Sequence, residues 1–363
     1  MLAEEAPGRY ACHDLVRAYA TEQSRARDGS NVRQAATLRM LDHYLHSAHA
    51  AALLIKADPV PLMLPPPYPG VRPEGLRTES EAIRWFAAEH QVLLAVTAEA
   101  AGLDVYGWTL RVVMAAYLNG GGYWHQCATA QLAALDAARR LDDLPAQARV
   151  HRYLGSALVL LGEAEDAHAH LKEALRLCYR LRDQAGQAQV EAALASLQCQ
   201  QGRTRNALYH TRRALRLFRA AGNTLGQAIS MNNIGWDHMQ LGDYQRALRS
   251  CRQALKLGRE AGSHTITGHS WDTLGLTHYQ LGQYPEATAC YQQAISEYRQ
   301  AGHRPGEGGT LGRLGDAQYS NGHPDAAALS WHQALDILTS LRHPAADAIR
   351  AKLTEALPPG LTR

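Results

Sequence analysis

The sequence holds two phenylalanines in 363 residues and 7% aromatic side chains overall. Large ring contacts therefore cannot carry its core. The 46% hydrophobic content must act through Ala, Leu and other small or aliphatic residues. No apolar run reaches the roughly 20 residues a membrane helix needs. The first residues lack the basic, apolar, small-residue order of a secretory signal. Six cysteines (Cys12, Cys127, Cys178, Cys199, Cys251 and Cys290) lie scattered with no C-x-x-C pair. They read as buried thiols of a reducing cytoplasm, not as disulfides or zinc ligands. There is no G-x-x-x-x-G-K-[ST], and none of the four lysines (Lys56, Lys172, Lys256, Lys352) follows a glycine-rich turn. G-x-S-x-G and H-E-x-x-H are absent too, so nothing local argues for nucleophilic or metal catalysis. A net charge of +3 is too small to argue for nucleic acid. The expectation is a non-enzyme with no cofactor, no metal, no membrane and no direct nucleic-acid partner. Basic residues that are nearly all Arg, beside abundant Ala, suggest a GC-rich genome.

What the chain does contain is a period. "NIGWDHMQLGDYQRAL" (Asn233–Leu248) returns forty residues later as "TLGLTHYQLGQYPEAT". The repeat holds over six units from about Tyr106 to Ala345. A fixed period of this length means a stacked array of supersecondary units. Two glycine series run through it. Gly155, Gly235, Gly275 and Gly315 stand where a neighbouring helix must approach. Gly162, Gly202, Gly242, Gly282 and Gly322 stand where a helix ends in a left-handed residue. Small residues recur at Ala167, Ala207, Ala247, Ala287 and Ala327, and again at Ala134, Ala174, Ala214, Ala254, Ala294 and Ala334. A larger side chain at such a crossing would overpack it by roughly 1–3 kcal/mol.

The spacing L-G, then G-x-Y-x-x-A, then A-L resembles the tetratricopeptide repeat, here with 40 residues per unit. "LGDYQRALRSCRQAL" and "LGQYPEATACYQQAI" match best, and the first two units are degenerate. The resemblance implies an all-α fold: antiparallel helix pairs stacked into a right-handed superhelix with a concave groove. On this reading residues 106–345 are six repeats, and 346–363 are a capping helix and tail.

The N-terminal third differs. "RYACHDLVRAYATEQ" (Arg9–Gln23) precedes a helical run from Asn31 to Ala57. A proline-rich connector (57–77) follows, extended because proline cannot continue a helix. A helix restarts near Thr78, with Thr78 or Ser80 as cap and Glu81 in its first turn. The expected divisions are 1–27 and a helical linker domain at 28–105. "RYACHDLVRAYA", "MLDHYLHSAHAAALLI" and "EAIRWFAAEHQVLLAV", followed by the repeats, resemble the C-terminal half of AfsR/SARP-type regulators of actinobacteria. In that family a DNA-binding domain and an NB-ARC nucleotide switch precede tetratricopeptide repeats that act as the sensor. Residues 1–27 then resemble the end of the switch's winged helix. His13 and Asp14 match the H-D of its MHD motif, which reads the nucleotide phosphate, and Cys12 stands where a larger apolar residue is usual. Without the switch, these two residues are expected to open a leftover helix packed on the next one. The chain is then either a fragment of such a regulator or a stand-alone descendant.

The resemblance implies that the first helix of each unit lines the groove. The inward residues are Arg152 in the second unit, Asn232, Asn233 and Trp236 in the fourth, Asp272 and Tyr279 in the fifth, and Arg313, Asp316 and Tyr319 in the sixth. Amide, guanidinium and aromatic groups together suit a peptide, protein or small-molecule effector. Asn can donate to and accept from one peptide unit, Arg313 can take a carboxylate with its fork, and the rings offer flat apolar walls. The same residues could instead pack between repeats. Filling the groove would alter the superhelical pitch and so bias docking on an NB-ARC switch. The alternative is a stand-alone repeat protein that binds or transforms a biosynthetic intermediate. His43, His46 and His49 share one helical face, either as metal ligands or as a solvated surface. The Arg cluster in Arg203–Arg219 is local.

Overall fold

The computed structural model describes residues 2–6, 9–55, 62–100, 103–341 and 343–356. Among the described residues a short antiparallel ribbon, β1 (Leu2–Ala6) and β2 (Arg9–Cys12), precedes sixteen helices. Helix α1 (Asp14–Arg27) is capped by His13, whose ring nitrogen accepts from the Leu15 amide at 3.3 Å. No residue of α1 is buried, so it is not packed on the next helix as the sequence suggested. The side chain of Cys12 lies outside the described residues.

The long helix α2 (Ser30–Ile55) pairs with α3 (Glu79–Glu99). Between them, the described part of the connector runs back along α2. Asp42 accepts from the Tyr68 amide at 2.5 Å, Ser47 accepts from the Glu74 amide at 3.0 Å, and His43 meets the Arg72 carbonyl at 2.9 Å. Residues 56–61 of the connector lie outside the described residues. Thr78 caps α3 by accepting from the Glu81 amide, and the Glu81 carboxylate accepts from the Arg77 amide. The first bond satisfies a donor that the helix itself leaves open, and the second ties down the residue before the cap.

Each forty-residue unit is one hairpin. They are α4 (Asp104–Gly120) with α5 (Trp124–Arg140), α6 (Leu144–Leu161) with α7 (Ala164–Leu181), and α8 (Gln184–Gln200) with α9 (Thr204–Ala220). Next come α10 (Thr224–Gln240) with α11 (Tyr244–Glu260), α12 (His264–Gln280) with α13 (Tyr284–Ala301), and α14 (Arg304–Ser320) with α15 (Pro324–Ser340). Helix α16 (Ala345–Ala356) packs on α15, and the tail from residue 357 lies outside the described residues. First helices also approach each other across units, α4 to α6, α6 to α8, α10 to α12 and α12 to α14. That places them on the inner side of the superhelix.

The two expected glycine roles are separate here. Gly162 and its equivalents turn the chain with φ between 69° and 83°. At Gly155 an added Cβ would stand 2.7 Å from Leu171, and at Gly275 2.7 Å from the Tyr291 ring. Gly235 and Gly315 face Cys251 and Trp331 in the same way. The contact residue is always sixteen positions on. In the third unit that position is Thr211, smaller than Leu171, Tyr291 and Trp331, and Ala195 replaces the glycine. A further series, not read from the sequence, closes the turn between hairpins. Gly222, Gly262 and Gly302 have positive φ, with Asp142 and Arg182 at the equivalent places. The next residue caps the following helix: Asp143, Asp183, Asn223, Ser263 or His303 accepts from the amide three residues on.

Cys127, Cys178, Cys251 and Cys290 are buried and free, and Cys199 is half-buried and free. Burial pushes the Cys127 and Cys251 thiols up to about 12, which leaves them unreactive.

A candidate ligand cavity on the inner face

The N-terminal helices do not trail away from the repeats. Helix α2 packs on α4, and α3 reaches α13. The start of α3 docks on the start of α12, where the Thr265 hydroxyl donates to the Glu79 carboxylate at 2.6 Å. Burial raises the Glu79 carboxyl above its usual range, opposed by the bond from Thr265 and the charge of His264.

Beside this junction lies a half-open cavity of about 350 Å³. Ile55 of α2 and Ala116 of α4 form one side. Leu225, Ile229, Asn232 and Asn233 of α10 form the second, and Ser263, Thr265, Ile266 and His269 the third. Its size is within the ordinary range of ligand sites, roughly 300–1,000 Å³. The walls mix five apolar residues (Ile55, Ala116, Leu225, Ile229, Ile266) with five polar ones (Asn232, Asn233, Ser263, Thr265, His269). The Asn232 Oδ1 is buried without a hydrogen-bond partner. Such an acceptor costs stability unless a donor reaches it, about 1–3 kcal/mol. His269 is held at about 4 by burial and by the charge of Arg313, so it is neutral at pH 7, and its Nδ1 lies 2.7 Å from the Tyr298 hydroxyl.

Of the groove residues expected from sequence, Asn232 and Asn233 line this cavity. The others fall elsewhere. Arg313 meets Asp272 with two bonds, so its fork faces a carboxylate of the chain itself. Tyr279, Asp316 and Tyr319 gather at the C-terminal end around a second cavity of about 340 Å³. There Lys352 of α16 holds both oxygens of Asp316 at 2.7 and 2.6 Å, and the Trp331 indole donates to it at 3.1 Å. Arg152 is buried with its guanidinium 4.0 Å over the Tyr153 ring. It lines a separate hollow with Arg149 and Cys178. Trp236 is half-buried and lines neither cavity. The walls given by Ile55, Leu225, Ile229 and His269 were not foreseen, because nothing local marks a helix end that closes a distant groove.

Among the described residues no cluster of three or more His, Cys, Asp or Glu could hold a metal. His43 meets the Arg72 carbonyl, and the His46 ring stands 3.7 Å from Asp42. No described helix is long and apolar enough to cross a membrane.

The tetratricopeptide repeat model matches residues 186–260, 231–300 and 264–340. Regulatory protein AfsR of Streptomyces coelicolor is 32% identical over 186 residues, and that of Streptomyces griseus is 31% identical over 182. Each match covers 49% of this chain and 18% of the relative. The chain therefore spans under a fifth of the length of the curated relatives it matches. Two solved structures share its fold. One is a signal transduction ATPase with a tetratricopeptide repeat sensor from Pyrococcus horikoshii (TM-score 0.56, 16% identity, 77% of this chain and 42% of that one). The other is a Rap protein complexed with Competence and Sporulation Factor (TM-score 0.57, 14% identity, 76% and 83%). The repeats and the regulator relatives point to a binding or regulatory module. The chain carries tetratricopeptide repeats stacked in a superhelix, and it is similar over about half its length to AfsR regulatory proteins.

Proposed function

We propose that this chain is the sensor module of an AfsR-type regulator in the cytoplasm, and that it binds an effector in the inner cavity without transforming it. One observation carries the reading: Ile55 at the end of α2 stands in the cavity wall beside residues of the repeats, and α2 is paired with α3. An occupant that fits only the closed form favours the seating of α2 and α3, as a differential affinity must. The wall chemistry favours a small amphipathic molecule, or the side chain of a peptide, with one donor for Asn232 Oδ1. Helix α1 exposes Leu15, Val16 and Tyr19, which gives a switch domain of the NB-ARC kind an apolar face to meet.

Native mass spectrometry after incubation with an extract of the producing organism tests this. The expected result is a discrete small adduct, lost on Ile229→Trp, which fills the cavity, together with slower amide exchange in α3. An adduct untouched by Ile229→Trp, or no adduct and no change in exchange, would overturn the reading.

A further inference from the structure

The outer side of the superhelix carries a concentration of positive charge that the groove does not use. Helix α9 has Arg205, Arg212, Arg213, Arg216 and Arg219 and no acidic residue. Helix α11 has Arg246, Arg249, Arg252, Lys256 and Arg259 against the single Glu260. The whole chain carries only +3, so this is a local excess.

The period arranges it. Arg212, Arg216 and Arg219 recur forty residues on as Arg252, Lys256 and Arg259, all exposed. Spacings of seven, four and three from Arg205 keep one helical face. The stripe on α9 runs over fifteen residues, Arg205 to Arg219, about 21 Å end to end at 1.5 Å per step. Among the described residues no ion pair engages Arg205, Arg212, Arg216, Arg219, Arg249 or Arg252. The partners nearby go to others: Arg213 to Glu191 at 3.2 Å, Arg246 to Asp243 at 3.0 Å.

The stripe borders a shallow furrow of about 640 Å³, with Leu208, Leu215 and Tyr209 between the arginines. Tyr209 is 56% exposed. Leu208 and Leu215 are buried beneath the furrow, so Tyr209 supplies its exposed apolar surface. A furrow with an exposed ring and flanking guanidinium groups complements an amphipathic helix whose apolar edge carries flanking carboxylates.

We propose that the outer face of α9 and α11 docks an acidic amphipathic helix of a partner protein. Nucleic acid fits less well for two reasons. The patch is bounded on both sides by helices without a basic excess: α7 sets Glu165, Asp166 and Glu173 against Lys172, Arg176 and Arg180, and α13 sets Glu286 and Glu297 against Arg299. A duplex crossing the outer surface would run onto them, whereas a helix about 21 Å long fits between. Tyr209 is also the lone exposed ring of α9 and α11 and lies beneath Arg213, 5.7 Å from its guanidinium, so no stacking platform is present there. The surface is separate from the inner cavity and does not depend on an effector there.

The test uses the full chain and a labelled synthetic helix of about fourteen residues, with Leu on one edge and Glu beside it. Anisotropy reads its binding, with a Leu-to-Ser version and a DNA duplex of similar charge as comparisons. The expected result is binding that weakens with salt, at least about tenfold weaker for Arg212→Glu/Arg216→Glu and for Arg252→Glu/Lys256→Glu. The Leu-to-Ser peptide binds more weakly than the parent, and Asn232→Leu in the cavity changes nothing. The variants sit on exposed positions, and circular dichroism confirms their helicity. If either pair unfolds, Arg212→Gln/Arg216→Gln replaces it, with the same expected direction. Absence of binding at low salt, affinity unchanged in the charge variants, or a duplex that binds more tightly than the peptide would overturn the proposal.

Discussion

Arg313 of α14 reaches back one repeat to Asp272 of α12, with Nε at 2.9 Å from Oδ1 and Nη2 at 2.7 Å from Oδ2. Thr310 donates to the same Oδ1 at 3.0 Å. Asp272 is 13% exposed and Arg313 37%, so the pair is partly shielded from water. It is a tie between successive inner helices. Arg313→Ala should destabilise the chain by about 1–3 kcal/mol, because it leaves a mostly buried carboxylate with one donor. Arg313→Lys should recover only part of this, since an ammonium cannot reproduce the fork. Urea melts of the two variants and of Asp272→Asn, run as a double-mutant cycle, measure the coupling.

Asp237 predicts a pH effect of unusual sign for a carboxylate. Burial pushes it up to about 7, with the Thr211 hydroxyl and the charge of Arg212 pulling the other way. The unfolded chain titrates near 3.8. Between those values the folded state holds the extra proton, so this group's contribution falls as pH rises and levels off above about 7. Asp237→Asn should flatten that part of the stability profile. It should also raise stability at pH 8 by roughly 1–3 kcal/mol. A variant less stable than wild type at pH 8 would contradict the assignment.

Asp142 and Arg182 hold φ of 51° and 55° at turns where Gly222, Gly262 and Gly302 stand in later units. A side chain in that conformation costs roughly 1–2 kcal/mol, and glycine returns about 0.4–1 of it through the unfolded chain. Arg182→Gly should therefore stabilise by about 0.5–1 kcal/mol. Gly222→Ala should destabilise by a similar amount. Thermal melts decide both.

Gly275→Ala would put a methyl 2.7 Å from the Tyr291 ring. A cost of about 1–3 kcal/mol is expected. The double variant Gly275→Ala/Tyr291→Thr copies the pairing already present at Ala195 and Thr211, and should lose less than the sum of its single changes. Additive losses would show that the two positions do not share one contact.

The sequence carried the hairpins because each depends on residues that repeat: a small one where helices cross, a left-handed one where the first helix ends. The inter-hairpin series at Asp142, Arg182, Gly222, Gly262 and Gly302 was equally periodic, but its first two members are not glycine and hid the pattern. The inner residues were harder. Asp272 and Arg313 each lie on an inward face, yet the curvature of the stack brings them to each other. Asp316 is met by Lys352 from the final helix. Position on a face says where a side chain points, and not whether the chain has already supplied its partner. The closing of the groove by Ile55 and Glu79 had no local signature, since it joins segments far apart along the chain.

That junction changes what kind of object the chain is. An open stack of repeats loses its ends one at a time, because every unit answers only to its neighbours. The bond from Thr265 to Glu79 spans 186 positions and turns the first four units and the start of the fifth into a circuit. Units inside a circuit cannot fray from a free end. Only the stretch beyond α13 keeps the loose edge of an ordinary array, so the two parts of the same ladder should let go of their amide protons on different schedules.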